Sequence, residues 1–493
     1  MDKSQKRENQ IIFWTKCVLL VTGLFTAMPL VNHIGRDVYK IYCVWCFFCV
    51  IYLFFKRKKN YWKIEYLLLF LFCGFYALTI INGSKQHLVN EIAILGYTGI
   101  LLFTMTYCDR ERGKEAIKQE LLILSRVFIL VTFLFSVIGL YMFFFSHSGE
   151  FVYQNENYIY GMYENRLWGL YNPNTGSSIN YISVFLSFLL IKELKHGKFF
   201  FLGNVIVQSL CFILAQSRGA WICVLVYTVF YMLFVKKYKY VSKENWKNWG
   251  YKIVLTTILC VTMVGGGELL KVSMAKIPSM IVKMQTTENQ TIGKAEDSSD
   301  IEASVKQEQE IKEDNIEVKQ ELAESEAESG LKRLDKKEKN LQSISTGRTS
   351  IWKIGLKAYT EHPILGIGYR SIDDTLLKQM DEWGYNNSAA GGLHNVYITV
   401  LVAAGTVGFL LFSLYLLLVL TNILKCLFVF EFPQYVKALA IFVPAILVGE
   451  LAESRIIFGM NWLAIFFWIL VGYIGYFAEK GKKKDDQHHC TGI

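Results

Sequence analysis

The sequence predicts an all-α membrane protein that crosses the bilayer about twelve times. Hydrophobic residues make up 53% of the 493-residue chain, and charged residues only 19%. The apolar residues fall in runs of roughly 18 to 25, the length that a helix needs to cross about 30 Å of hydrocarbon. Neither an ordinary water-soluble enzyme nor a disordered protein has this composition, so both classes are excluded.

Nine of the predicted spans lie within residues 1–272, and three more lie within residues 396–478. Their approximate bounds are 12–31, 38–55, 64–82, 92–107, 121–145, 176–192, 199–216, 219–235, 251–272, 396–420, 435–454 and 461–478. A single helix over the apolar residues 199–235 would be about 55 Å long, so we predict a turn at the polar residues 216–219.

Lysines and arginines predict the orientation of these spans. They cluster in alternate connections, for example at residues 56–63, 108–118 and 236–247, and in the basic tail at residues 479–493. By the positive-inside rule both chain ends are cytoplasmic, and the N-terminal segment is a retained first span rather than a cleaved signal peptide. The net charge of +10 is explained in this way, and we expect no nucleic-acid partner.

Two extracytoplasmic loops, residues 146–175 and 273–395, are too long to be simple connections. Within the second, residues 288–342 hold sixteen acidic and nine basic residues. We expect an expendable insert there, disordered or a solvated helix, and a partner-docking coiled coil is the less favoured alternative. Residues 346–395 begin with a predicted amphipathic helix on the outer membrane surface, which ends at Pro363.

The predicted topology places several cationic side chains at or near the outer face, where orientation does not need them. They are Arg166, Arg218, Arg348, His362, Arg370, His394 and Arg455. The planar donor fork of arginine suits phosphate oxygens, so as a set these residues predict an anionic ligand at the membrane surface. Singly, each arginine could instead pair with Glu164, Glu450 or Glu453, or extend to lipid headgroups.

His394 is the best candidate for proton transfer. It stands at the beginning of a predicted span beside Asn395, which could orient the imidazole. A packing role for His394 stays open, and His362, just before Pro363, is more typical of a turn residue. The cysteines lie mostly in apolar runs and Asp373-Asp374 lacks a third ligand, so we expect no metal site and no cofactor.

Four sequence motifs follow one another along the chain. They are RLWGLYNPNTGSS at residues 166–178, AQSRGAW at 215–221, GRTSIWKIGLKAYTEHPILGIGYRS at 347–371 and LHNVYITVLVAAGTVGFLLF at 393–412. As an ordered set they resemble the O-antigen ligase and polymerase superfamily of bacterial membrane glycosyltransferases. The acidic insert just before Arg348 departs from the pattern of that family.

The resemblance implies a metal-independent enzyme of the bacterial inner membrane. It would move a glycan from a polyprenyl-pyrophosphate carrier to an acceptor hydroxyl at the outer face, with inversion at the sugar carbon. The acceptor would be a glycan or a glycolipid, and ligase and polymerase are not separated by these motifs. A transporter or flippase of the same glycolipids is the alternative, although its charges should gather near the midplane between related halves.

The resemblance also implies roles for individual residues. Arg218 and Arg348 would bind the pyrophosphate, Arg166 would position the donor, and His394 would accept the proton of the acceptor hydroxyl. The supporting residues would be Asn174, His362 and Asn395.

Overall fold

The structure is a computed structural model that describes residues 3–481 except 57–60, 62, 84, 154–155, 164–165, 237–245, 279, 282–347, 383–391 and 430–431. The described residues form fourteen α-helices and one small sheet, which confirms the predicted fold class. The helices are α1 (Lys3–Thr26), α2 (Asn32–Lys56), α3 (Ile64–Asn82), α4 (Leu88–Gly99), α5 (Lys114–Phe144), α6 (Pro173–Glu193), α7 (Lys198–Ala215), α8 (Arg218–Phe230), α9 (Trp246–Ala275), α10 (Arg348–Glu361), α11 (Arg370–Glu382), α12 (Val396–Leu424), α13 (Gln434–Gly449) and α14 (Trp462–Lys480).

Eleven helical segments in the described residues are long and apolar enough to cross a membrane, and the protein is a multi-pass membrane protein. The remaining predicted span is α13, an apolar helix of 16 residues. The predicted turn at residues 216–219 is confirmed, since α7 ends at Ala215, Gln216 is left-handed (φ 51°) and α8 begins at Arg218. The acidic insert at 288–342 lies outside the described residues, as do residues 482–493 of the basic tail.

The chain divides into two compact units, and the first comprises residues 1–128, 218–256 and 340–493. Its central helix is α14, in which 89% of the span is buried, because the helix is apolar on every side. Helices α1, α12 and α13 pack against α14. In α2 only 22% of the span is buried, and side chains such as Ile41, Phe48 and Phe55 are exposed, as expected of a lipid-facing helix.

A break in α12 receives the turn that follows α10. Gly405 has φ 68° and ψ −174°, a conformation in which α12 cannot continue its regular hydrogen bonds. The amide groups of Ile367 and Gly368 donate to the carbonyls of Val402 and Ala403, each at 3.0 Å, and the amide of Thr406 donates to the Pro363 carbonyl at 2.8 Å. The turn therefore replaces the backbone hydrogen bonds that the break removes, as a membrane-spanning segment requires.

The second unit comprises residues 129–217 and 257–339, and it contains the sheet. The strands β1 (Gly149–Tyr153), β2 (Glu156–Tyr163) and β3 (Arg166–Gly169) form one antiparallel sheet in the order β1-β2-β3. Leu167 of β3 belongs to an apolar cluster with Leu140, Phe143, Cys211, Leu214 and Met274. This sheet was not predicted from the sequence.

A buried seam of polar side chains joins the helices of the second unit. Ser136 of α5 donates to Gln208 of α7 at 3.0 Å, and Asn204 of α7 donates to Ser183 and Ser187 of α6 at 3.0 and 2.8 Å. In hydrocarbon these groups have no water to bind, so such hydrogen bonds hold neighbouring helices together.

Candidate active site around His394

The connection between α13 and α14 is organised by a fully buried carboxylate, Glu450. It accepts hydrogen bonds from the amide groups of Arg455 and Ile456 at 2.6 and 3.2 Å, and from Nε of Arg455 at 3.3 Å. Burial raises the pKa of Glu450, although Arg455 and these amide donors oppose the shift. The backbone carbonyl of Glu450 accepts from the amide of Val396 at 3.0 Å, which joins this connection to the beginning of α12.

His394 precedes α12 in a strained backbone conformation with φ 46°. Non-glycine residues rarely adopt this region, and it persists only where neighbouring contacts impose it. On one side, the Leu393 carbonyl accepts from Trp352 Nε1 at 2.8 Å. On the other side, the Asn395 side chain caps α12 by accepting from the amides of Tyr397 and Ile398, and it donates to the Leu451 carbonyl at 3.0 Å. These contacts hold the backbone on both sides of His394.

Glu453 links His394 to Arg348. One carboxylate oxygen lies 3.5 Å from His394 Nδ1, and the other lies 3.4 Å from Arg348 Nη2 at the beginning of α10. Burial opposes ionisation of Glu453, but the hydrogen bond from His394 and the charges of Arg455, His394 and Arg348 outweigh it and lower the pKa of Glu453. The carboxylate is therefore ionised at neutral pH and can hold the imidazole in one orientation.

His394 and Glu453 open into a cavity of about 120 Å³. Its lining includes Tyr369, Asp373, His394, Glu453, Ser454 and Arg455. The Ser454 hydroxyl is buried and has no hydrogen-bond partner in the described part of the chain. A buried hydroxyl without a partner typically marks a site for water or a ligand. Burial also raises the pKa of Asp373, against the opposing charge of Arg370.

A separate polar cluster lies within the second unit, around Arg166. Its Nε donates to the Ala215 carbonyl at 3.0 Å, and its Nη2 donates to the Asn174 side chain at 3.1 Å. Ser217 Oγ donates to the same Asn174 oxygen at 3.1 Å. Asn172 caps α6 by accepting from the amide of Asn174, and Pro173 follows in the first turn, where its missing amide hydrogen costs nothing. The motifs at residues 166–178 and 215–221 are thus joined by side-chain hydrogen bonds.

The structure brings some predicted site residues together and leaves others apart. Arg348 and His394 meet through Glu453, and Asn395 anchors the backbone beside them. Arg166 and Asn174 contact each other in the second unit. Arg218 begins α8 with an exposed side chain, and no hydrogen bond or ion pair described for it reaches Arg348 or His394. His362 is exposed and contributes backbone hydrogen bonds to its turn.

Two of the outer-face arginines form ion pairs with glutamates, which was the alternative to binding an anionic ligand. Arg348 pairs with Glu453, and Arg455 pairs with Glu450. The contact between Glu453 and His394 was not predicted from the sequence. Within the described residues, no three His, Cys, Asp or Glu side chains lie close enough together to hold a metal ion.

Glu91 was missed by the sequence analysis. This buried carboxylate in α4 accepts from the Tyr76 hydroxyl at 2.5 Å and from the amide of Arg370 at 2.7 Å. A Cβ at Gly368 would lie 2.6 Å from one of its oxygens. Glu91 therefore fixes the beginning of α11. It stands immediately before the predicted span 92–107, and a carboxylate at the edge of an apolar run was the signal that could have revealed it.

The comparison with protein families identifies this region. The family model described as O-antigen ligase matches residues 203–413, and this match confirms the resemblance seen in the motifs. The matched range contains Arg218, Arg348, His394 and the break at Gly405, whereas Arg166 and Asn174 lie before it. No curated protein matches the chain.

Proposed function

We propose that this membrane protein, which contains an O-antigen ligase family domain, transfers a glycan from a polyprenyl-pyrophosphate carrier to an acceptor hydroxyl. The observation that carries the proposal is that Glu453 joins Arg348 to His394, and that His394 and Glu453 line one cavity. It combines a cation suited to phosphate with a histidine whose orientation is held by a carboxylate.

His394 is the proposed general base. Its Nδ1 faces Glu453, so the opposite ring nitrogen, Nε2, is the atom that would accept the proton of the acceptor hydroxyl. The nearby carboxylate stabilises the imidazolium that forms, as in other carboxylate–histidine pairs. The strained backbone at His394 is consistent with a catalytic position, because such strain gathers at functional sites.

The arginines are proposed to stabilise the pyrophosphate leaving group. The acceptor oxygen forms a bond to the anomeric carbon while the bond to the carrier pyrophosphate breaks, and the pyrophosphate leaves with the electron pair. A single displacement inverts the anomeric carbon.

Arg348 has five N–H donors, of which the described contact with Glu453 uses one, so the guanidinium can also bind phosphate oxygens. Arg218 is proposed for the same pyrophosphate, and neither arginine needs a metal to stabilise the growing charge.

The second unit is proposed to contact the donor. Arg166 holds Asn174 and the end of α7 in place, which is a positioning role. In the same motif the indole N–H of Trp168 and the hydroxyl of Ser177 are buried without partners among the described residues. Each such group costs about 1–3 kcal/mol when it stays unpaired, so a polar ligand such as the donor glycan would satisfy them.

The proposed location of the reaction is the outer face of the bacterial inner membrane, with both chain ends in the cytoplasm. The distribution of lysine and arginine supports this orientation through the positive-inside rule. His394, Arg348 and the connection between α13 and α14 then lie on the extracytoplasmic side.

The test is the size profile of surface glycan and of carrier-linked glycan in cells whose only copy carries His394→Ala. His196→Ala is the matched control, because His196 is exposed and lies outside all four motifs, and protein levels are compared by immunoblot. Single repeat units left on the carrier would indicate a polymerase, and long chains left on the carrier would indicate a ligase. An unchanged profile would contradict the proposal and favour transport of lipid-linked glycans or a structural histidine.

A further inference from the structure

A groove between α1 and α2 has no part in the proposed reaction. Its volume is about 470 Å³, and its lining includes Arg7, Ile11, Trp14 and Val18 of α1 with Tyr42 and Trp45 of α2. We propose that this groove binds one anionic phospholipid. The phosphate contacts Arg7, and one acyl chain lies along the groove toward Val18.

The α1 wall of the groove is one continuous stripe. Arg7, Ile11, Trp14 and Val18 follow spacings of four, three and four residues, which places them on the same face of the helix. All four side chains are exposed within the described chain. The stripe begins with a cation and continues with apolar groups, which is the order of a phospholipid from headgroup to acyl chain.

Helix α2 forms the other wall of the groove, and a hydrogen bond joins it to α1. Trp45 Nε1 donates to the Thr15 hydroxyl at 3.1 Å, and Tyr42 lies one turn away from Trp45 on α2. Trp14 and Trp45 are 53% and 49% exposed, so their rings form the sides of the groove and are not part of the core. Tryptophan and tyrosine rings are favoured at the level of the headgroups and the adjoining acyl chains.

The length of the groove fits within one leaflet. Val18 is eleven positions after Arg7, which at about 1.5 Å per residue gives roughly 16 Å along the helix axis. Half of a bilayer about 40–45 Å thick, headgroups included, is about 20–22 Å. A groove that begins at the headgroup level and has this length therefore holds a lipid of a single leaflet.

The charge at the headgroup end favours an anionic lipid over a zwitterionic one. Lys3, Lys6 and Arg7 are all exposed in the first two turns of α1. The adjacent Glu8 is paired with Lys56 of α2, so its negative charge is compensated. A zwitterionic headgroup would bring its own cation to this basic region, whereas phosphatidylglycerol brings only the anion.

Native mass spectrometry of the purified full chain in detergent tests this inference. Phosphatidylglycerol and phosphatidylcholine with identical acyl chains are titrated separately, and the affinity of the first bound lipid is compared. We expect Arg7→Ala to weaken phosphatidylglycerol about fivefold, since one basic residue at a membrane surface contributes about that factor. Lys6→Ala removes the same charge one position away, outside the groove lining, and should change the affinity less than twofold.

Val18→Trp is the second variant, because it fills the groove and keeps every charge. Val18 is 37% exposed, so the larger side chain need not enter the core, and phosphatidylglycerol binding should be lost. Equal affinity for the two lipids would overturn the proposal, as would equal effects of Arg7→Ala and Lys6→Ala. Displacement of phosphatidylglycerol by millimolar inorganic phosphate would also overturn it, because the site would then bind phosphate and not lipid.

Discussion

Replacement of Glu453 by glutamine removes one negative charge and keeps the shape of the side chain. The carboxylate lies 3.5 Å from His394 Nδ1 and 3.4 Å from Arg348 Nη2. At 3.5 Å and an effective dielectric constant of about 20, two unit charges interact with about 5 kcal/mol. Solvent reaches 31% of the His394 side chain and 17% of Glu453, so we take about half, roughly 2–3 kcal/mol, for stabilisation of the imidazolium.

The transfer rate of Glu453→Gln should therefore fall about 100-fold, since about 1.4 kcal/mol corresponds to a factor of ten. The assay measures the initial rate at which membranes containing the variant consume their own carrier-linked glycan, normalised to the amount of protein. Glu361→Gln is the matched control, because Glu361 is an exposed glutamate of α10 and does not line the cavity. Its rate should equal that of the unmodified protein.

A double variant separates a joint role from two independent ones. If Glu453 acts through His394, then His394→Ala combined with Glu453→Gln should be no slower than His394→Ala alone. Losses that multiply would mean that Glu453 acts on its own, for example through Arg348. A rate for Glu453→Gln above about half of the unmodified rate would refute the reasoning outright.

Four further outcomes follow from described contacts. A Cβ at Gly405 would lie 2.1 Å from the Ile364 carbonyl at a positive φ, so Gly405→Ala should cost about 3 kcal/mol or more and lower Tm, whereas Gly74→Ala, in open space, should not. Asn395→Ala should cost about 1–2 kcal/mol by loss of the cap and of the bond to Leu451, measured by chemical denaturation. Trp352→Phe should cost about 1 kcal/mol and slow transfer, because the Leu393 carbonyl loses its donor. Unchanged stability and rate would contradict the role of this hydrogen bond in holding the backbone beside His394. Because the pKa of Glu453 is lowered in the folded protein, its contribution to stability is complete above the unfolded value of about 4.5 and is lost as pH falls through the folded pKa; Glu453→Gln should remove this part of the acid dependence of Tm.

The break in α12 explains why two distant motifs occur together. The turn of residues 362–368 and the break at Gly405 supply each other's backbone hydrogen-bond partners, which the surrounding hydrocarbon cannot replace. A Cβ at Gly366 would lie 2.5 Å from the Val402 carbonyl, so the close approach itself requires glycine. The turn also leads directly to Tyr369, which lines the His394 cavity.

The sequence alone predicted the membrane class, the approximate positions of the helical spans, the turn near residue 216 and the resemblance to the O-antigen ligase family. These features depend on runs of apolar residues and on local motifs, which are readable one segment at a time. The pairing of Arg348 with Glu453 was named as one alternative among several, because residue types show which pairs are possible but not which are made.

Only the tertiary structure decided that Glu453 also contacts His394, that Glu450 organises the connection between α13 and α14, and that Arg166 and Asn174 belong to a different unit from His394. Glu453 is 59 positions from His394 in the sequence, and the contact exists because the residues that follow α13 meet the beginning of α12. Contacts of this kind depend on how helices pack, and helix packing is set by the whole arrangement of side chains and not by any one segment.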